Sequence, residues 1–76
     1  MRDFLIYILK NLVDQPDRII LDQDERDGKI VFTVQAAKDD VGKIIGRSGK
    51  HAIAIRALLS AVAAKEGKRA ILEVAD

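Results

Sequence analysis

Two glycines enclose a short basic loop in the second half of the chain, and its residue types are suited to binding an anion. The loop consists of Gly46, Arg47, Ser48 and Gly49, and a helical pattern begins near Lys50. Glycine has no Cβ, so the backbone can turn sharply and its amides can approach another molecule. The first amides of a helix lack intrahelical partners and lie at the positive end of the helix dipole. We therefore expect this segment to hold a phosphate group.

Positive charge is concentrated around this loop, although the net charge of the chain is only +1. The charged residues between positions 41 and 65 are all basic: Lys43, Arg47, Lys50, Arg56 and Lys65. The segment 14–27 is instead rich in Asp and Glu. A basic patch on a nearly neutral chain indicates local, salt-sensitive binding of a polyanion such as a nucleic-acid backbone.

The residues of the loop are less compatible with other kinds of site. A nucleotide-binding P-loop is excluded, because His51 stands where Ser or Thr would hold magnesium and Ile44 stands where the leading glycine belongs. Ser48 has no evident base beside it, so a nucleophilic role and an enzymatic activity are not expected. Spacing alone leaves open a corner between two helices in which the glycines only permit close packing.

The periodicity of apolar residues predicts the order α-β-β-α-α-β and an α+β fold. A helix is expected over 3–13, followed by strands over 18–26 and 29–36 that the Asp27-Gly28 turn joins. Asp39 or Asp40 should cap a short helix over Val41–Ile45. A long helix then begins near Lys50 and is stopped by Gly67 as the C′ residue, and a last strand covers Arg69–Val74.

The long helix has two apolar faces. One face should pack on the sheet, and its members are Ala52, Ile55, Leu59, Val62 and Ala63. The other is a strip of Ile53, Ala57, Ala61 and Ala64. We expect this strip to face the first helix, since apolar helix faces usually pack inward; the alternative is an exposed patch suited to pairing with another protein. In the short helix, Ile45 is the expected core residue.

Composition excludes several other classes of protein. The chain has no cysteine, which removes disulfides and thiolate metal sites and is compatible with a cytoplasmic protein. The single histidine, His51, has no co-ligands for a metal, and either a solvated role or a contact with a base or phosphate is open to it. The acidic residues near Asp27 lack the calcium-loop pattern. The apolar N-terminal run is too short to span a bilayer. We expect one domain over 1–76, with no cofactor, no metal and no membrane association.

The seven residues 44–50 resemble the I-I-G-x-x-G core of a KH domain. The opening FLIYILKNLVDQPDRI, the block AKDDVGKIIGRSGK and the late LLSAVAAKEGKRAILEV are similar to the KhpA family of small bacterial KH proteins. The resemblance covers nearly the whole chain. It implies a single type II KH domain, with a three-stranded sheet and helices packed on one face. It also implies binding of single-stranded RNA or DNA, the GxxG loop clamping the backbone of about four nucleotides, and single-stranded RNA is the expected ligand.

Carried onto this sequence, the resemblance and the loop chemistry assign nine RNA-binding residues: Gly42, Lys43, Ile44, Gly46, Arg47, Ser48, Gly49, Lys50 and His51. The bases would lie on an aliphatic floor drawn from Val41, Ile44, Ile45 and strand residues near Phe32–Val34. The family further implies an RNA chaperone linked to cell elongation and envelope growth. It implies self-association or pairing with KhpB, a larger KH protein, for which the strip on the long helix is the candidate surface. The alternative is a dimerisation module whose RNA binding depends on that partner.

Overall fold

A computed structural model describes residues 1–75, and its elements follow the predicted order. Helix α1 spans Arg2–Leu12, strand β1 spans Ile20–Arg26 and strand β2 spans Lys29–Gln35. Helix α2 spans Val41–Ile45, helix α3 spans Lys50–Lys65 and strand β3 spans Arg69–Val74. Single 3₁₀ turns lie at Pro16–Arg18, Lys38–Asp40 and Arg47–Gly49. The first strand is shorter than expected, because proline at position 16 begins a turn there instead of extended chain.

The three strands form one mixed sheet in the order β1-β2-β3. β1 and β2 are antiparallel and joined at the Arg26–Lys29 pair by a turn in which both Asp27 and Gly28 have positive φ, as the sequence predicts. β3 returns parallel to β2, with Phe32 opposite Leu72. A parallel pair requires a crossover, and α2 and α3 supply it. The predicted α+β architecture with a three-stranded sheet is confirmed.

The core lies between the helices and one face of the sheet. Burial alternates along β2, where Ile30, Phe32 and Val34 are buried and Lys29 and Gln35 are exposed. The helices contribute Leu5 and Leu9 from α1, Ile44 from α2, and Ala52, Ile55, Leu59 and Ala63 from α3. The predicted sheet-facing side of α3 is therefore confirmed. Successive residues of a strand point to opposite faces, so Val31 and Thr33 lie on the face away from the helices, and both are half-buried.

Two contacts fix the direction of α3 relative to the sheet. The Arg56 side chain donates to the carbonyl of Leu72 at 3.2 Å through Nη2, so the middle of α3 lies over β3. At the end of α3, the amide of Arg69 donates to the carbonyl of Gly28 at 2.9 Å. The α3–β3 turn therefore lies beside the β-hairpin turn. A helix of 16 residues is about 24 Å long, so the glycine loop at its other end is far from the hairpin turn.

Candidate nucleic-acid interface

The glycine loop joins α2 to α3 through three residues with positive φ. Gly46 has φ 78° and ψ 169°, a combination that residues other than glycine rarely adopt. Ser48 and Gly49 follow in the left-handed region, with φ values of 56° and 75°. The chain therefore reverses within four residues, which is the role that the sequence predicts for the two glycines.

The two glycines are required for different reasons. A Cβ at Gly46 would lie 2.6 Å from Cγ of His51 and 2.8 Å from the His51 backbone nitrogen. A Cβ at Gly49 would meet no atom within 4 Å. Gly46 therefore allows the first turn of α3 to pack against the loop, whereas Gly49 is needed only for its backbone conformation.

Several backbone amides of the loop, which the sequence suggests are available to a ligand, instead donate hydrogen bonds within the loop. The Gly46 amide donates to the Gly42 carbonyl at 2.8 Å, and the Gly49 amide donates to the Gly46 carbonyl at 3.0 Å. The Lys50 amide donates to the Arg47 carbonyl. The expectation that the first amides of α3 all face outward is thus wrong for Gly49 and Lys50. The side chains of Arg47, Ser48 and Lys50 remain exposed at the loop surface.

The basic side chains around the loop fall into two groups. Arg47 and Lys50 are exposed, and no carboxylate within residues 1–75 lies within 4.0 Å of their charged atoms. Lys43 instead pairs with Asp14 and lies 3.5 Å from Oδ1 of Asp40. The hydrogen bond to Asp14 raises the pKa of Lys43 above its ordinary value of 10.5. Partial desolvation opposes this increase, and the negative charges of Asp14 and Asp40 add to it. Arg47 and Lys50 are therefore the cations available to a phosphate.

Asp40 lies immediately before α2 and is 1% exposed. Its carboxylate accepts hydrogen bonds from the amides of Asp14, at 3.2 Å, and Gln15, at 2.9 Å. It makes no side-chain cap to α2, and neither does Asp39, so the predicted capping role is wrong. Burial by itself would raise the pKa of Asp40, but the amides of Gln15 and Asp14 and the Lys43 charge outweigh it and hold the pKa below 3.8. Sequence reasoning missed this link, because Asp14 is 26 residues away.

The two isoleucines of α2 have the opposite orientation to the one expected. Ile44 is fully buried, whereas Ile45 is 37% exposed. The side chain of Ile44 therefore belongs to the core and not to a surface that a base could reach. Phe32 and Val34 are also fully buried. Of the residues proposed for an aliphatic floor, Ile45 and the half-buried Val41 remain, beside the exposed Gly42, which has open space around its Cα.

His51 is the first-turn residue of α3 that contacts α2. Its Nδ1 lies 2.7 Å from the carbonyl oxygen of Lys43. A carbonyl only accepts, so Nδ1 carries the hydrogen and donates it. The ring itself is exposed and lies against Gly46. Lys43, Gly46 and His51 therefore lie close together, as the sequence predicts. The side chain of His51 is engaged by the other two residues, through its hydrogen bond to Lys43 and its packing on Gly46.

The apolar strip on α3 faces solvent. Ile53 is 62% exposed, and Ala57, Ala61 and Ala64 are all exposed. The expectation that this strip faces α1 is wrong. Ala54 and Leu58, on a neighbouring part of α3, instead line a shallow apolar groove together with Ile8 and Leu12 of α1. The strip is therefore an exposed apolar patch, which is the alternative that the sequence left open.

The acidic hairpin forms ordinary surface ion pairs. Asp24 lies 3.5 Å from Arg26, and Glu25 lies 2.9 Å from Lys68. Within residues 1–75, no group of three His, Cys, Asp or Glu side chains is placed to hold a metal ion. In the same part of the chain, no helix has the length and hydropathy needed to cross a bilayer.

A family model described as KhpA/KhpB, KH domain, matches residues 2–74. The chain belongs to this KH-domain family. It is 41% identical to the RNA-binding protein KhpA of Chlamydia trachomatis over 76 residues. The aligned region covers 100% of this chain and 97% of that protein. It is 34% identical to the RNA-binding protein KhpA of Listeria monocytogenes over the full length of both. With the protein of the same name from Borreliella burgdorferi it shares 42% identity over 74 residues, 97% of this chain and 90% of that one. No solved structure compared with the chain is a significant match.

Proposed function

We propose that this protein binds single-stranded RNA by holding the sugar-phosphate backbone against residues 46–50. The observation that carries the proposal is a pair of exposed cations, Arg47 within the loop and Lys50 directly after it, which have no carboxylate partner among residues 1–75, in a loop with three positive-φ residues. Membership in a family whose members are named RNA-binding proteins supports it. A loop with only these two cations makes few phosphate contacts, so the affinity should be modest and fall as salt rises.

The bases would lie beside α2, over Val41, Gly42 and Ile45. Gly42 is exposed with open space where a Cβ would be, and Ile45 offers an exposed aliphatic surface. The chain has few aromatic residues, and none of them is in this segment. Base recognition would therefore depend on aliphatic contacts and hydrogen bonds instead of aromatic stacking.

Fluorescence anisotropy with a short single-stranded RNA across a salt series tests this proposal. The variant Arg47→Asp with Ser48→Asp places two carboxylates in the loop and should abolish binding. Asp is compatible with the backbone at position 48, since Asp27 adopts a φ of 51° in the hairpin and Ser48 has a φ of 56°. The control Arg26→Asp with Gln23→Asp makes the same change of charge at the hairpin and should retain binding. Equal binding by the loop variant and the native chain, both folded by circular dichroism, would contradict the site.

A second candidate function is favoured by the exposed strip of Ile53, Ala57, Ala61 and Ala64. This strip places an apolar surface on the helix that follows the RNA-binding loop, and such a surface is typical of a protein–protein interface. We infer that it pairs with a second copy or with a KH domain of a KhpB-like protein. Ala61→Asp should then give a monomer in sedimentation, whereas Lys10→Asp on the exposed face of α1 should not change the mass.

RNA binding by the Ala61→Asp variant separates the two functions. Undiminished binding by the monomer would show that the loop acts alone. Lost binding with a folded loop would show that pairing is required for RNA binding. From the family resemblance alone, we further propose that the protein acts in the cytoplasm as an RNA chaperone and post-transcriptional regulator linked to cell elongation and envelope growth.

A further inference from the structure

A buried carboxylate ties the end of α1 to the start of α2. Asp40, 1% exposed, accepts hydrogen bonds from the two amides that follow α1, those of Asp14 and Gln15. An unpaired carboxylate at this depth would be costly, because burial removes its hydration. Here the two amides and the Lys43 ammonium replace the lost water. The carboxylate is therefore a fixed point between two segments that are distant in the sequence.

Helix α2 needs such external contacts, because it has only five residues. A single helical turn is not stable by itself, since nucleating a helix orders several residues for one hydrogen bond. Lys43 projects from this turn and binds both Asp14 and Asp40. With Asp40 at its first end and Lys43 in its middle, α2 is held against the end of α1.

The same turn of α2 is joined to the glycine loop through His51. The backbone carbonyl of Lys43 accepts a hydrogen bond from Nδ1 of His51 at 2.7 Å. The imidazole then lies against Gly46 so closely that a Cβ there would come within 2.6 Å of Cγ. A continuous set of contacts thus runs from the end of α1 through Asp40 and Lys43 to His51 and Gly46.

We propose that His51, Lys43 and Asp40 are positioning residues that hold the loop in its RNA-binding conformation, and that Lys43 and His51 act through the loop and not as direct ligands of phosphate or base. This inference rests on the proposed RNA-binding function. It gives Lys43 and His51 a different role from the one that the sequence suggests. Preorganisation of this kind increases affinity, because the ordering of the loop precedes binding.

Substitutions at His51 distinguish positioning from direct contact. The side-chain amide of Asn can place a donor near the position of Nδ1, whereas that of Gln reaches the position of Nε2. We expect His51→Ala to weaken binding of a short single-stranded RNA by about three- to tenfold, the usual effect of one lost hydrogen bond. His51→Asn should restore most of the affinity and His51→Gln should not. Restoration by Gln and not by Asn, or equal loss in all three variants, would overturn the inference.

Lys43→Met and its control Lys50→Met provide a second, independent test. Both remove one charge and keep a long apolar stem. Lys50→Met should reduce the slope of log affinity against log salt by about 0.7, the value for one phosphate on a single strand. Lys43→Met should lower affinity without changing that slope, and it should shift the amide resonances of Gly46 and Gly49 in the absence of RNA. A reduced slope with unmoved loop resonances would overturn the assignment.

The loop resonances also separate this inference from the proposed function. If the native chain does not bind RNA, the RNA-binding proposal fails, whereas the spectra of free Lys43→Met and His51→Ala still report on the loop. Unchanged Gly46 and Gly49 resonances in both variants, with native RNA binding intact, would contradict the positioning network alone.

Discussion

The hairpin turn and the glycine loop each contain two consecutive residues with nearly the same positive φ values, but their surroundings are very different. Asp27 and Gly28 have φ values of 51° and 77°, and Ser48 and Gly49 have φ values of 56° and 75°. In each pair, a residue with a short polar side chain precedes a glycine, and both adopt left-handed conformations. Asp tolerates this region because its side chain can hydrogen-bond locally, and Ser is less favoured there.

The two turns differ in charge and in what lies behind them. The hairpin carries Asp24, Glu25 and Asp27, and two of its basic neighbours are in ion pairs. The loop has exposed Arg47 and Lys50, and Gly46 packs against His51. The left-handed pair by itself therefore only reverses the chain. An anion-binding site requires, in addition, unpaired cations and a support that fixes the loop relative to a helix N-terminus.

The largest effect is expected when the packing behind the loop is broken. Gly46→Ala combines a forbidden backbone conformation with a 2.8 Å approach to a backbone nitrogen, which cannot move aside easily. It should lower the free energy of unfolding by about 3 kcal/mol or more. Gly28→Ala at the hairpin has open space and should cost about 1 kcal/mol. Urea denaturation of both variants measures the difference, and equal losses would show that His51 does not restrict the loop.

The next effect concerns charge. Arg47→Gln with Lys50→Gln should reduce the slope of log affinity against log salt by about 1.4, two phosphates at about 0.7 each. The matched variant Arg26→Gln with Lys29→Gln removes two cations at the hairpin and should leave the slope unchanged. Anisotropy titrations over a range of salt provide the measurement. A similar reduction in both variants would show that RNA contacts both ends of the molecule.

A smaller effect, with opposite signs for stability and binding, is expected at Gly42. The position is helical and open, so Gly42→Ala should raise the free energy of unfolding by up to about 1 kcal/mol. The added methyl group would occupy the surface where we place the bases, so RNA affinity should fall. Urea denaturation and anisotropy on the same samples check both halves. Increased stability with unchanged affinity would remove Gly42 from the interface.

The smallest effect is a dependence of stability on pH at Asp40. Its folded-state pKa lies below the ordinary value of 3.8. The contribution of the ionised carboxylate to the free energy of unfolding is therefore fully present above that pH and is lost as the pH falls through the folded-state pKa. The native chain should therefore lose stability below about pH 4 more steeply than Asp40→Asn. Urea midpoints between pH 2 and pH 6 measure this, with Asp39→Asn as the charge-matched comparison. Parallel curves for the native chain and Asp40→Asn would contradict the role of the buried carboxylate.

Local sequence patterns predicted most of the fold. The period of two in β2, the Asp27-Gly28 turn and the stop at Gly67 each depend on neighbours within a few residues, and all three are found as expected. The loop glycines are predictable for the same reason, because positive φ is a local requirement. The resemblance to the family was also visible in the sequence, from the GxxG core and the blocks around it within this order of elements.

Three features required the tertiary structure. In α2, five residues make little more than one turn, so periodicity cannot tell whether Ile44 or Ile45 faces the core. In α3, apolar residues occur on nearly all sides, so the pattern does not reveal which face is left to solvent.

Charge pairing was the third such feature. Lys43, Arg47 and Lys50 look alike in the sequence, but folding brings Asp14 and Asp40 to Lys43 alone. The sequence by itself thus determined a glycine loop with positive charge at the start of a helix. Only the tertiary structure decided which of those charges remain available and what holds the loop in place. Asp14 and Gln15 are distant along the chain but adjacent in space to α2, and the contact of His51 with Lys43 depends on how the chain reverses between α2 and α3.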